Sequence, residues 1–382
     1  MPVYVTGSGS YLPGPRVAFD DIEQVLGRLT QAPPRLQRWI EQTTPIMKQL
    51  LGIEFYHYAI DRTTRAFTDD NVTMSAKAAR VALDAAGMTP QDVDLICYGS
   101  PHQDQMPTAS VRIQEQLGIE RCDELSIHAN CTSAYKALYL AHQLIRSGQN
   151  STALVISANI ASSELRAEYY NQALVDKESL FLRWFLCDGA GALVLTNRAP
   201  AARRFVVEQT YIESVGGTRP SLMFSNRPAY WMNPQDEFDT ASHHLRQQFR
   251  NVLSTSVFQE PDGSVFANGL KRMLGRGSVP LDSVAFFQVN LPSRHIADSV
   301  REECRALGIA PEAFYTKMSE MGYAGPPTAL MCLDRILREE RPAPGQRVLS
   351  FVTEVSKFMQ AGYVIACEGA GSAPTRTPAP QR

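Results

Sequence analysis

The sequence predicts an α/β protein built twice over, two similar halves of strand and helix layered on one another. Two observations carry that expectation. Short apolar runs bounded by turn residues alternate with longer amphipathic stretches, the pattern of buried strands joined by helices. The order of those segments then recurs about 190 residues later, as an internal duplication would leave it.

The elements follow in chain order. "VTMSAKAARVALDAAGM" has helical spacing and ends at Gly87, where a C-terminal cap belongs. "VDLICYG" is apolar enough for a strand buried on both faces. After Pro101 a helical stretch ends in Leu-Gly-Ile at Ile119. "SIHANCTSAYKALYLAHQLIRSG" passes from a short strand into a helix over 132–147, with Gly148 as its cap. "TALVIS" and "GALVLT" read as two further buried strands. The segment Thr196 to Arg204, "TNRAPAARR", divides a first half (1–200) from a second (201–368). The tail 369–382 is rich in Pro, Ala, Ser and Thr, a composition that predicts disorder.

The second half repeats the first. "SVPLDSVAFFQVNLPSRHIADSVREECRALGI" matches the stretch ending at Ile119 and again closes on a glycine, Gly308. Pro101 pairs with Pro292 at an offset of about 191 residues, and Leu117 with Leu307 at about 190. At about 192, Cys131 pairs with Tyr323, Ala137-Leu138 with Ala329-Leu330, and Leu144-Ile145 with Ile336-Leu337.

Composition excludes several classes. The chain has 382 residues, 44% hydrophobic and 20% charged, with net charge -2. It lacks the basic surplus that nucleic acid demands. Its apolar runs are too short and interrupted to span a bilayer. "MPVYVTGSGSYLPG" has no basic stretch followed by an apolar one, so a cytoplasmic protein without a signal peptide is expected. Seven scattered cysteines without a CxxC pair argue against a disulfide framework and against structural zinc. Six of them, Cys97, Cys122, Cys187, Cys304, Cys332 and Cys367, read as small buried hydrophobes.

Cys131 is different. It sits at a strand-to-helix corner, with Thr132 or Ser133 placed to cap the helix. Unpaired backbone N–H groups and the helix dipole would favour thiolate over thiol there. A thiolate so placed is suited to attack a thioester carbonyl, and nearby N–H groups to hold the resulting oxyanion. Position alone leaves a buried structural cysteine equally open.

"NCTSAYKAL" after a strand, followed by "FLCDGAGALVL", resembles the ketoacyl-ACP synthase III branch of the thiolase superfamily. "DVDLICYGSPHQDQMPTASVRIQEQLGI" is similar to that branch's segment ahead of its cysteine, and the resemblance runs from about Pro2 to Cys367. It implies a thiolase-like, duplicated α-β-α-β-α layered fold and an active site carried by two buried helices. It assigns Cys131 as the residue that takes an acyl group from a CoA or acyl-carrier-protein thioester, with no tightly bound cofactor. It also implies a homodimer formed through the N-terminal halves, in which a loop from one subunit closes the other's tunnel. Met106 stands at the place of a gating aromatic in that loop.

The sequence departs from this family where it matters chemically. The family's His falls on Asn290 and its Asn on Tyr323. Both residues can donate hydrogen bonds, but neither is a good base near neutrality. Acyl transfer through Cys131 therefore fits better than malonyl-driven chain extension. Among the histidines, His102 is the best spare base. His295 reads as structural, His128 as a packed or hydrogen-bonded core residue, and His243-His244 as part of a solvated helix. The family's glycine-rich turn is replaced by "SFVTEVSKFMQAG", with Glu354 and Lys357 in place of glycines, either on a surface loop or at the pocket mouth. Ile46 and Leu50 stand where the family stacks Trp and Arg on CoA, which favours a carrier protein as donor. Residues 218–275 fit the family least, and Tyr230 and Trp231 there are substrate-contact candidates.

Three readings follow. The first is an acyltransferase in specialised metabolism, with Asn290 and Tyr323 orienting the acceptor and a decarboxylating C–C condensing synthase as its close variant. The second is a catalytically silent subunit of a heteromeric condensing enzyme. The third is a thioesterase or decarboxylase on the same scaffold.

Overall fold

The computed structural model describes residues 1–102, 106–201, 203–225, 233–241, 245–248, 255–291 and 294–369. Its centre is a ten-stranded sheet. The strands are β1 (Tyr4–Tyr11), β2 (Leu95–Ser100), β3 (Asp123–His128), β4 (Thr152–Ile160), β5 (Asp188–Thr196), β6 (Arg204–Ser214), β7 (Val284–Gln288), β8 (Phe314–Tyr315), β9 (Arg347–Glu354) and β10 (Met359–Glu368). Their order is β3-β2-β4-β5-β1-β6-β10-β9-β7-β8.

That order contains the repeat. Strands β3-β2-β4-β5-β1 and β8-β7-β9-β10-β6 have the same sequence of neighbours, and the directions match. β2 is parallel to β3 and β4, and β5 is antiparallel to β4 and β1. In the second set β7 is parallel to β8 and β9, and β10 is antiparallel to β9 and β6. The two sets join where β1 pairs with β6 through Tyr4 with Val206 and Val5 with Phe205.

Helices complete the layers: α1 (Pro34–Leu51), α2 (Asn71–Ala86), α3 (Ala109–Leu117), α4 (Ser133–Ser147), α5 (Val265–Gly275), α6 (Arg294–Ala306) and α7 (Thr328–Arg335). The strands explain the layering, because alternate residues point to opposite faces. Leu95, Cys97, Val155, Leu193 and Leu195 pack inward with α4 and α7. Ile96, Tyr98, Leu154, Ile156 and Val194 pack outward beneath α2 and α3. In the second set Val348 and Ile365 face α4 and α7, while Leu349, Phe351 and Val364 face α5 and α6. With both faces buried, these strands read as continuous apolar runs.

Several expectations on the elements hold. The helices end at glycines in the left-handed region, φ +62° at Gly87 and +84° at Gly148. The Asp188-Gly-Ala-Gly-Ala run also has a physical reason. A Cβ on Gly191 would lie 2.7 Å from Leu330 Cβ, so glycine lets β5 approach α7 closely. Asp188 accepts hydrogen bonds from Ala59 N at 2.8 Å and from Ser162 N and Oγ at 2.8 and 2.5 Å, tying two loops to β5.

Two expectations are corrected. His128 is not a core residue of the single chain: it is exposed at the end of β3, the last strand in the sheet order. Cys122 is half-buried, whereas Cys97, Cys187, Cys304, Cys332 and Cys367 are buried as expected. Tyr230, Trp231, His243, His244, Pro292, the side chain of His295 and the tail from 370 lie outside the described residues.

Candidate active site

Cys131 lies two residues ahead of α4, where β3 hands the chain to the helix. Tyr323 lies ahead of α7, the helix that occupies the matching place in the second strand set. The helices share one core, with Ala134, Ala137, Leu138 and Ala141 of α4 packed with Ala329, Leu330 and Leu333 of α7. The alanines among them are small enough for the two helices to pack closely. The Tyr323 hydroxyl donates to Cys131 Sγ at 3.5 Å.

Tyr323 is held from several sides. Its ring stacks on Phe185 with centroids 4.6 Å apart. Its carbonyl accepts from Cys187 N at 3.0 Å, and the next carbonyl, of Ala324, accepts from Asn159 Nδ2 at 2.9 Å. The turn that aims it needs Gly322, whose φ is +76° and whose Cβ would lie 2.6 Å from Cys187 Sγ. Burial raises the phenol well above its ordinary pKa, so it serves as a donor.

The cap of α4 differs from expectation. Neither Thr132 nor Ser133 caps the helix through its own hydroxyl. A carboxylate from the second strand set does so instead. Glu354, the last residue of β9 and 1% exposed, accepts from Thr132 N at 2.9 Å and from Thr132 Oγ1 at 2.6 Å through Oε2. Its Oε1 accepts from the Ser356 hydroxyl. Of the two residues in the glycine positions, Glu354 thus lies at the site, and Lys357 is exposed with Nζ 2.6 Å from Arg219 O.

This overturns the expected thiolate. Burial, and then the Glu354 charge, push the Cys131 thiol up to about 12, against the smaller help of the Tyr323 hydrogen bond. The helix dipole does not win here, because burial disfavours the charged sulfur and the carboxylate that takes the Thr132 N–H works in the same direction.

Beneath the thiol lies a buried polar chain. Tyr135, on the first turn of α4, shares a hydrogen bond with Ser350 Oγ at 2.7 Å. Ser350 Oγ donates to Gln288 O at 3.0 Å, Tyr363 Oη to Gln288 Oε1 at 2.6 Å, and Gln288 Nε2 to Ala329 O at 2.7 Å. It ties α4, β7, β9, β10 and α7 into one floor, the kind of support that fixes reacting groups. Asn290 follows β7, and its Oδ1 accepts from Cys332 Sγ on α7 at 3.4 Å. His102 follows β2; its N–H donates to Ser100 Oγ at 3.1 Å, and its Nδ1 lies 3.6 Å from Glu164 Oε1. Of the four residues singled out in the sequence, the described hydrogen bonds join Tyr323 to Cys131 directly and anchor Asn290 on α7. Sequence reasoning missed Tyr135 and left Glu354 open; an acidic side chain in an expected glycine turn was the available signal.

Comparison with known proteins supports the fold and shows what the chain is similar to. The family model described as 3-Oxoacyl-[acyl-carrier-protein (ACP)] synthase III matches residues 125–214, which include Cys131 and the Asp188 run. A β-ketoacyl-[acyl-carrier-protein] synthase III of Clostridium perfringens is 24% identical over 319 residues, 82% of this chain and 88% of its own. That of Methylococcus capsulatus is 25% identical over 346 residues, 90% and 93% of the two chains. Among solved structures, the tetronic acid condensing enzyme AbyA1 superposes with a TM-score of 0.74 at 23% identity, covering 96% of this chain and all of that one.

Proposed function

The chain is ketoacyl-ACP synthase III-like and of thiolase fold, and from that premise we propose that it is an acyltransferase working through an acyl-thioester on Cys131. The observation that carries this reading is the meeting of Cys131 and Tyr323 at the heads of two packed helices, sulfur to hydroxyl 3.5 Å. Cys131 receives an acyl group from an acyl-carrier-protein or CoA thioester. Tyr323 and Asn290 orient the acceptor that then takes the acyl group from the sulfur. Tyr323 has a hydroxyl to donate and Asn290 an amide, and neither supplies an ordinary base. The acceptor therefore brings its own nucleophilicity, and His102 is the spare base. Ile46 is 62% and Leu50 36% exposed on α1, an apolar surface that favours a carrier-protein donor over the adenine of free CoA. Decarboxylating condensation is the close variant, as the superposed AbyA1 is named a condensing enzyme. The working unit is a homodimer in the cytoplasm. Among the described residues no helix is long and apolar enough to cross a membrane.

A second reading, a silent subunit of a heteromeric condensing enzyme, draws support from the thiol held at about 12. One experiment separates the two. The protein and Cys131→Ala are incubated with a panel of acyl-CoA and acyl-carrier thioesters and weighed intact. An acyl adduct on the parent that is missing from the variant supports the acyltransferase. A folded parent with no adduct from any donor leaves the silent subunit.

A further inference from the structure

We propose that Glu354 is the general base for acylation of Cys131, the role that neither Asn290 nor Tyr323 can fill. The proposal rests on the reading that Cys131 is acylated. Glu354 is buried at the end of β9, yet its side chain crosses between the two strand sets to reach the residue after the cysteine. A carboxylate has about four acceptor sites. Thr132 N, Thr132 Oγ1 and Ser356 Oγ use three of them, which leaves room for a thiol proton.

Burying a carboxylate is costly. The head of α4 offsets part of that cost through its backbone N–H and dipole. The arrangement holds the carboxylate on the backbone N–H and hydroxyl of the residue that follows the cysteine, 2.9 and 2.6 Å away. Among the described residues the titratable groups facing the thiol are Glu354 from β9, Tyr323 ahead of α7 and Tyr135 on α4. The two phenols are raised by burial and hold their protons, so the carboxylate is the acceptor among the three.

The step balances. As Cys131 Sγ attacks the thioester carbonyl carbon, Glu354 takes the sulfur's proton. The Sγ–carbon bond forms, the donor's carbon–sulfur bond breaks, and the departing thiolate takes the proton back from Glu354. The carboxylate ends as it began, and the donor leaves as a free thiol. Proton transfer accompanies bond formation, since a free thiolate beside this carboxylate is the disfavoured state.

Glu354→Gln tests this. The amide oxygen can keep the two bonds from Thr132 while the charge and the basicity are lost. Acylation by an acyl-thioester and alkylation by iodoacetamide are followed on Cys131 by intact mass across pH 6–9. The expected result is a split: acylation falls by about 100-fold or more, while alkylation, which needs only thiolate, speeds up because the neighbouring charge has gone. If both rates rise together, Glu354 merely raises the thiol's pKa and the proposal is overturned. An unchanged acylation rate overturns it too. Should Glu354→Gln not fold, Glu354→Asp decides, because it keeps the charge but withdraws it by one methylene. Slower acylation with alkylation as in the parent then supports the base, and two unchanged rates overturn it. A parent that forms no adduct at all sinks the acyl-enzyme reading and this proposal with it, whereas an adduct in the parent leaves that reading standing however the variants behave.

Discussion

The Tyr323 hydroxyl donates to the Cys131 sulfur across the boundary between two strand sets of the same topology, at 3.5 Å. Each residue precedes the helix that its own set contributes to the shared core. The contact is therefore fixed by the packing of α4 against α7 rather than by a flexible loop.

Replacing that phenol isolates the contact. Tyr323→Phe keeps the ring on Phe185 and the shape of the core. Its stability should stay within about 1 kcal/mol of the parent, the net worth of one hydrogen bond. Transfer from Cys131 to the acceptor should slow by about 10- to 100-fold if the hydroxyl orients the reacting groups. Time courses of the acyl adduct by intact mass check this, and equal rates in the two proteins would remove Tyr323 from the mechanism.

Gly191→Val tests the fit of β5 against α7. The new Cβ would sit 2.7 Å from Leu330 Cβ and 3.0 Å from Met331 N. A helix backbone cannot yield as a flexible side chain can, so the strand and helix must separate. The expected loss is about 1–3 kcal/mol, read as a lower midpoint in urea. A midpoint equal to the parent's would show that this close approach is not required.

Much of this was legible in the sequence, for reasons that particular residues make plain. Cys131 and Tyr323 could be paired because duplication leaves a nearly constant offset, and the two residues do face each other. Buried strands such as β2 were visible because both faces need apolar side chains. What escaped was set by contacts between the halves. Thr132 has the composition of a cap, but the carboxylate of Glu354, more than 200 residues away, supplies the capping oxygen. The state of the Cys131 thiol follows from that contact and from burial, neither of which local spacing encodes. His128 reads as core from its place on a strand three residues before Cys131, but β3 lies at the sheet edge.

Met106 is 98% exposed within a single chain. A large apolar side chain so displayed is suited to cover by a partner, and the homodimer reading places it against a second copy. Met106→Glu should leave the fold of one chain intact and weaken self-association, measured by light scattering over a concentration series. A dimer as strong as the parent's would put the interface elsewhere.

Asp188 offers a prediction about pH. It is fully buried, and desolvation raises its carboxyl to about 6, while the hydrogen bonds from Ser162 and Ala59 resist that rise. In the unfolded chain the group titrates near 3.8. A carboxyl raised on folding binds its proton more tightly in the native state. The stability it lends is thus complete below about 3.8 and is lost as pH rises through about 6. Asp188→Asn removes this dependence, because the amide stays neutral throughout and its oxygen can still accept from the backbone. Relative to the parent, the variant should therefore gain stability as pH is raised from about 4 to about 7, by on the order of 3 kcal/mol at most. Urea titrations of both proteins across that range check the difference, which cancels the titration of every other group. A difference that stays flat with pH would show that Asp188 folds with its charge as well solvated as in the open chain. A difference of the opposite slope would mean that its hydrogen bonds outweigh its burial.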